Sequence, residues 1–279
     1  MNVLILGLGH VGKALAVRLR AQGHRVAGTT TTPAKVDGLS AVADEVIVLR
    51  GSERERVADA AIGRDALILT MAPSVRQART REERFTSYRE VLVESAQSAV
   101  AAHPRVIFLS SFSVYADGGP GDGTITEESA LVASDEPSTV NYREAERAVL
   151  SSRQGVSLRL PDIYGAPGDL SLEGRVKAGL DFMGGRVPFG RDARYFSVHF
   201  EDVVDATLHV LDRGLSGAFN VCNDEVLPPT NGEIFDAISD RNGWKRLEFL
   251  DQIKAPRRKI SAAKLYATGF RVKHEGPTV

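Results

Sequence analysis

The sequence predicts a doubly wound α/β fold, a parallel sheet with helices on both faces, joined to a smaller C-terminal lobe. Three observations predict it. Short β-branched runs alternate with amphipathic stretches over the first 160 residues, the first run feeds directly into a glycine-rich turn, and the alternation loosens between Pro161 and Gly190 into sequence rich in glycine and proline. At 279 residues with 43% hydrophobic side chains, the chain can bury a substantial core, as one large or two modest domains.

The opening run Val3–Leu6 reads as a buried strand, and Gly7-Leu8-Gly9-His10-Val11-Gly12 follows as G-x-G-x-x-G. The first glycine permits a tight turn off the strand, the second lets backbone approach a pyrophosphate, and the third lets helix and strand pack closely. The helix that follows carries Val11, Leu15 and Leu19 on one stripe and stops near Gly23. Arg25–Gly28 then completes a β-α-β unit of the expected length of about 30 residues. Gly7 to Lys13 also satisfies the start of the phosphate loop G-x-x-x-x-G-K-[ST], but Ala14 stands where that loop needs a hydroxyl for Mg²⁺. Further strands are predicted at 45–49, 66–70, 105–110, 156–160 and 218–222, with helices at 84–102, 202–211 and 231–241 and a short strand at 246–250.

Charge and composition exclude several function classes. A formal net charge of −1 with both signs interspersed offers no basic field for nucleic acid, and the basic run 254–259 reads as a solvated turn. The single cysteine, Cys222, forms no internal disulfide, and no Cys and His stand at metal-ligand spacing, so no metal is expected. The N-terminal apolar run is short and broken by glycines, and no later stretch approaches about 18 uninterrupted apolar residues, so a soluble cytoplasmic protein is expected, with no membrane partner.

Later motifs resemble one family. Ser110-Ser111-Phe112-Ser113-Val114-Tyr115 follows a strand, Leu158-Arg159-Leu160-Pro161-Asp162-Ile163-Tyr164-Gly165 is like L-R-x-x-x-x-Y-G, and Val198-His199-Phe200-Glu201-Asp202-Val203 is like H-x-x-D-V. With Gly217–Val221, they make the chain similar to extended short-chain dehydrogenase/reductases of the NAD-dependent epimerase/dehydratase branch, in the family's order over nearly the whole length. The resemblance implies a Rossmann domain, residues 1–160 and 196–222, and a substrate-binding lobe, residues 161–195 and 223–279. It also implies chemistry from a Ser, a Tyr and a Lys four residues after the Tyr.

Ser111 matches the family's serine, but Tyr-x-x-x-Lys is absent. In one register Tyr142 is the tyrosine and Glu146 stands in the lysine's place. In the preferred register Ser138 replaces the tyrosine and Tyr142 the lysine, because Pro137-Ser138 sits where the family's helix begins. Ser111, Ser138 and Tyr142 are therefore the catalytic candidates. A tyrosine of pKa about 10 stays protonated at neutral pH without a positive charge beside it, and Glu146 would act against ionisation. Arg143 is read as lying on a solvated helix face. His199 and Asp202, three apart, suggest a base and its partner, but the resemblance gives them the task of holding the last crossover.

The cofactor candidates are Gly7, Gly9, His10, Val11 and Gly12 in the loop, Thr70, Met71 and Ala72 after the fourth strand, and Thr29, Thr30, Thr31 and Lys35 after the second. An NAD site puts a carboxylate at the end of the second strand. Here the run Thr29–Thr32 and Lys35 stand there instead, which favours NADP(H), with NAD(H) as the alternative. Ser113, Tyr164, Arg191 and Arg194 are the substrate candidates, the arginines for their donor forks. The sequence thus predicts an NAD(P)-dependent oxidoreductase or epimerase/dehydratase-like protein acting on a small polar, sugar-like substrate. The partners expected are that small-molecule substrate and a second copy in a homodimer, while the sequence leaves the oligomeric state open. The alternative is an NADP(H)-binding sensor without turnover.

Overall fold

The computed structural model describes residues 1–73 and 80–276. Seven strands form the central sheet, in the spatial order β10-β6-β5-β4-β1-β2-β3: β1 (Asn2–Leu6), β2 (Arg25–Thr30), β3 (Glu45–Val48), β4 (Ala66–Leu69), β5 (Val106–Ser111), β6 (Val156–Leu160) and β10 (Gly217–Asn220). β1 pairs in parallel with both β2 and β4, so the order reverses at β1, and the crevice at the carboxyl end of β1 is the switch point where such folds bind ligands. The predicted strands lie within one or two residues of the observed ones. The interiors of β1, β2, β4, β5 and β6 are buried, as befits strands covered on both faces, while β3 at the sheet edge is only partly buried or exposed.

Helices α1 (His10–Ala21), α2 (Val36–Leu39), α3 (Arg54–Ala61), α4 (Arg81–Tyr88), α5 (Ser95–Ala102) and α6 (Pro137–Leu150) connect these strands. The segment read as a single helix over 84–102 is α4 and α5 joined through a π-helical stretch at Arg89–Glu94. One core cluster joins Leu4, Leu6, Leu67, Leu69, Val106 and Phe108 of the sheet to Leu92, Ala96, Ala99, Ala145 and Val149 of the helices. At the far end of α6, the buried carboxylate of Glu146 receives Arg159 Nη2 at 2.9 Å and Ser157 Oγ at 2.7 Å.

The region expected to be loose contains strand β7 (Asp162–Tyr164), helix α7 (Leu172–Phe182) and strand β8 (Arg186–Phe189), and strand β9 (Ser197–His199) follows it. Helix α8 (Phe200–Asp212) leads back to β10, and α9 (Asn231–Asn242), β11 (Glu248–Ile253) and α10 (Ala263–Tyr266) follow. β7 pairs in parallel with β9, β8 with β11, and a second core gathers Val176, Val187, Ile234, Phe235, Ile238 and Leu247.

The chain forms two compact units: Met1–Ser111 with Pro137–Arg159 and Val203–Phe219, and Phe112–Glu136 with Leu160–Asp202 and Asn220–Val279. This division differs from the sequence expectation chiefly in Phe112–Glu136 and Phe196–Asp202, which belong to the second unit. Local bonding accounts for it. Tyr115 donates to Asn220 Oδ1 at 2.7 Å, Ile125 N–H donates to Lys259 O at 2.8 Å, and β9 pairs with β7. The basic run is also less solvated than expected, because Arg258 donates to the carbonyls of Gly118 and Gly123. No helix among the described residues is long and apolar enough to cross a membrane.

Candidate active site

In the first unit the glycine loop sits at the carboxyl end of β1. Gly7 has φ +101°, a conformation that favours glycine, and its N–H donates to Thr29 Oγ1 at 2.9 Å. Leu8 N–H reaches Thr29 O at 2.8 Å, so Thr29, almost fully buried, buttresses the turn from below. A Cβ on Gly12 would lie 2.1 Å from Gly7 O and 2.9 Å from Thr70 Oγ1, so only glycine lets α1 pack this close to the loop. Gly9 is the opposite case. A Cβ there would meet nothing within 4 Å, and as N-cap of α1 Gly9 offers no side chain to the first turn, which also carries no acidic residue. The helix N-terminus therefore presents uncapped N–H groups and its positive dipole end to open space over Gly9, the arrangement that receives a pyrophosphate.

The remaining loop candidates cluster around it. Thr70 Oγ1 donates to Gly7 O at 2.5 Å, and Met71 lies against Gly7, while Ala72 and His10 are exposed. At the end of β2, Thr30 Oγ1 accepts the Thr32 N–H at 3.2 Å, and Thr31 and Lys35 are exposed. The hydroxyl run is thus divided in its work. Thr29 and Thr30 are engaged with backbone, and Thr31 and Lys35 face solvent.

Ser111 closes β5, and alternation along the strand places it on the face opposite Val106 and Phe108. Ser110 shares the Phe108 face, where its buried Oγ has no hydrogen-bond partner among the described residues. Ser138 is buried in the first turn of α6. Tyr142, one turn later, packs its ring against Phe108, with centroids 6.1 Å apart, and edge-on to Tyr88 at 6.2 Å. Burial, reinforced by Tyr88, raises the Tyr142 pKa far above its ordinary value, so its phenol stays neutral. Glu146 is not the cause, since its carboxylate is taken by Arg159. Arg143 is half-buried rather than on a solvated face. Burial lowers its pKa, which Glu146 partly offsets and Arg159 reinforces.

The substrate candidates lie in the second unit. Arg191 is paired with Asp236 and lies over the Phe249 ring, and Arg194 donates to the carbonyls of Arg257 and Pro228. Both arginines hold the fold of this unit around α9. Tyr164 donates to Glu275 O and stands edge-on to His199. The sequence reading missed Arg175. With Tyr164, Ser171 and Tyr195 it lines a cleft of about 260 Å³, where it donates to Asp162 Oδ2 and to Tyr195 Oη at 3.1 Å, while Tyr195 donates to Asp162 at 2.9 Å. Burial opposes the charge on Arg175, but Asp162 and Tyr195 outweigh it and raise its pKa. Helical periodicity in 172–182, masked by the surrounding glycines, was the signal that could have located it.

Comparison with known proteins places this geometry. The sequence profile of the NAD dependent epimerase/dehydratase family matches residues 3–222. The chain belongs to that family. Among curated proteins, Protein YeeZ of Escherichia coli K12 is 32% identical over 231 residues, 79% of this chain and 77% of YeeZ. Similar folds include DesIV, a dTDP-glucose 4,6-dehydratase from Streptomyces venezuelae with NAD and TYD bound (TM-score 0.76, 18% identity, 99% of this chain and 93% of that one). MoeE5 in complex with UDP-glucose and NAD superposes with TM-score 0.73 at 22% identity over 99% and 94% of the two chains. A short-chain dehydrogenase/reductase superfamily protein from Agrobacterium tumefaciens with bound NAD gives 0.74 at 21% identity, over 99% and 93%. The epimerase/dehydratase fold accounts for the switch point at β1, where the glycine loop lies.

Proposed function

We propose that this member of the family binds a nicotinamide dinucleotide on the glycine loop, NADP(H) in preference to NAD(H), and acts on a small polar, sugar-like substrate as an oxidoreductase or epimerase/dehydratase. The observation that carries the reading is the empty space over Gly9 beside an uncapped α1 N-terminus. The first turn of α1 would receive the pyrophosphate, while the exposed Lys35 and Thr31 would meet a 2′-phosphate where NAD sites carry a carboxylate. When bound, the nicotinamide supplies hydride transfer.

The chain's own residues then position and protonate. Ser111 donates a hydrogen bond to the substrate oxygen, and Ser138 offers a second hydroxyl where the family places tyrosine. Tyr142, neutral and wedged against Phe108, fills the lysine's place as a hydrogen-bonding group rather than a base. Calorimetric titration with NADPH and NADH tests the cofactor assignment, and turnover of a panel of nucleotide sugars, aldehydes and ketones tests the chemistry. Binding of neither dinucleotide would overturn the reading.

A second reading has its own observation. A desolvated Tyr142 with no lysine four residues on is a poor proton shuttle, which suits an NADP(H)-binding sensor. Cofactor binding without turnover of any substrate in that panel would favour it.

A further inference from the structure

We propose that residues 273–276 form a releasable strap, latched by Asp202, that fixes Tyr164 and Gly165 in the wall of the cleft containing Arg175. All of these residues belong to the second unit, so the strap stands apart from the dinucleotide loop. Phe270 is the last buried side chain before it, and none of residues 271–276 is buried or lies in a helix or strand. Apolar packing therefore does not hold the segment down.

A carboxylate holds it instead. Asp202, fully buried, accepts the backbone N–H of Lys273 at 2.9 Å on Oδ1 and that of His274 at 3.1 Å on Oδ2, and Oδ2 lies 3.0 Å from His274 Nδ1. These contacts from two adjacent strap residues take the place of the carboxylate's water. Lifting the strap removes them and lets water return to Asp202, so the open state strands no buried charge. A segment held by polar contacts at its root, with little apolar burial, belongs to the low-stability end of a fold, where local opening is frequent.

The strap reaches the cleft by two routes. Directly, Tyr164 Oη donates to Glu275 O. Through packing, His274 stacks on His199 with ring centroids 3.9 Å apart and 24° between planes, and His199 stands edge-on to Tyr164 at 5.1 Å. The His199 ring also lies against Gly165, where a Cβ would strike Nε2, and its Nδ1 accepts the Glu201 N–H at 3.3 Å. Tyr164 and Gly165 line the cleft, so His274 backs His199 and His199 backs the wall. The β7–β9 ladder that carries Tyr164 and His199 is three residues long on each strand, and a pair that short needs outside support. With the strap down the wall is fixed. With it up, the Tyr164 hydroxyl loses its acceptor, His199 loses its stacking partner, and the wall moves.

The test is hydrogen–deuterium exchange of the full-length protein, read by mass spectrometry. We expect the Lys273 and His274 amides of the wild type to be protected by about 10²-fold or more. His274→Ala removes the stack and one contact with Asp202, so exchange should rise about tenfold at 273–276 and, in step, at 162–165, while exchange in α9 and circular dichroism stay unchanged. Trypsin should cut this variant after Lys273 sooner than the wild type. Asp202→Asn should repeat the pattern, and His274→Ala decides alone if that variant does not fold. Unprotected amides at 273 and 274 in the wild type overturn the proposal. So does a His274→Ala protein in which 162–165 exchanges as in the wild type, whether or not the strap itself has loosened, since the segment would then be a tail without hold on the cleft.

Discussion

Glycines two and five residues into the same loop differ in what a side chain there would meet. At Gly9 a side chain meets no protein atom, so Gly9→Val should leave the fold intact while filling the space for the pyrophosphate. We expect dinucleotide binding to be lost at an unchanged thermal midpoint, measured by calorimetry and circular dichroism on the same sample. At Gly12 a Cβ would strike Gly7 O, which is backbone and cannot turn aside, so even Gly12→Ala should destabilise. The same scale governs three further functional substitutions. If Lys35 meets the 2′-phosphate as proposed, Lys35→Ala should narrow an NADPH-over-NADH preference by no more than about 1–3 kcal/mol, because its ammonium is exposed and would make a single contact. Ser111→Ala should lower kcat by about 10²–10⁴ with cofactor affinity nearly unchanged, whereas Tyr142→Phe should be mild, since a neutral phenol contributes no base. A loss at Tyr142→Phe as large as at Ser111→Ala in steady-state kinetics would make Tyr142 the acid/base group.

Between elements, α6 and β6 are held together by the buried Glu146–Arg159 pair, with Ser157 completing the carboxylate's bonds. Removing one partner leaves the other charge stranded in the interior. Glu146→Gln should therefore cost about 3–5 kcal/mol in urea denaturation. Replacing both partners with apolar residues of similar volume should cost much less, because no charge then remains to be solvated. This pair sits one turn beyond Tyr142 on the helix that carries Ser138, so the element positioning the candidate hydroxyls is anchored by electrostatics as well as by packing.

For the molecule as a whole, burial raises the pKa of Tyr142, Tyr195, Tyr266 and Cys222. Below the unfolded values, about 8.5 for a thiol and about 10 for a phenol, these groups are neutral in both states and their contribution is fully present. As pH rises further the unfolded chain loses its protons first, so stability falls until the folded groups ionise in turn. We expect the urea midpoint to drop steeply above about pH 9–10, with tyrosinate absorbance rising together with unfolding rather than ahead of it. A tyrosinate signal that develops in the folded protein near pH 10 would contradict this burial.

The sequence by itself determined the parallel sheet, its strands to within a residue or two, the glycine loop and the family, because each rests on local pattern. Buried strands show as β-branched runs, and a turn that only glycine can make shows as glycine. The start of α6 was legible too, since Pro137 marks a helix start, but the pairing of Glu146 with Arg159 was not. Side-chain employment was not. Arg191, Arg194 and Arg175 look alike in sequence, yet the first two are spent on Asp236 and on backbone carbonyls while only Arg175 lines the cleft. Thr29 and Thr31 differ just as much, one bracing Gly7 and the other facing solvent. Only the tertiary structure decided these roles. Which donor meets which acceptor depends on residues tens of positions apart being brought within about 3 Å, as Asp202 is with His274, and no local periodicity encodes that meeting.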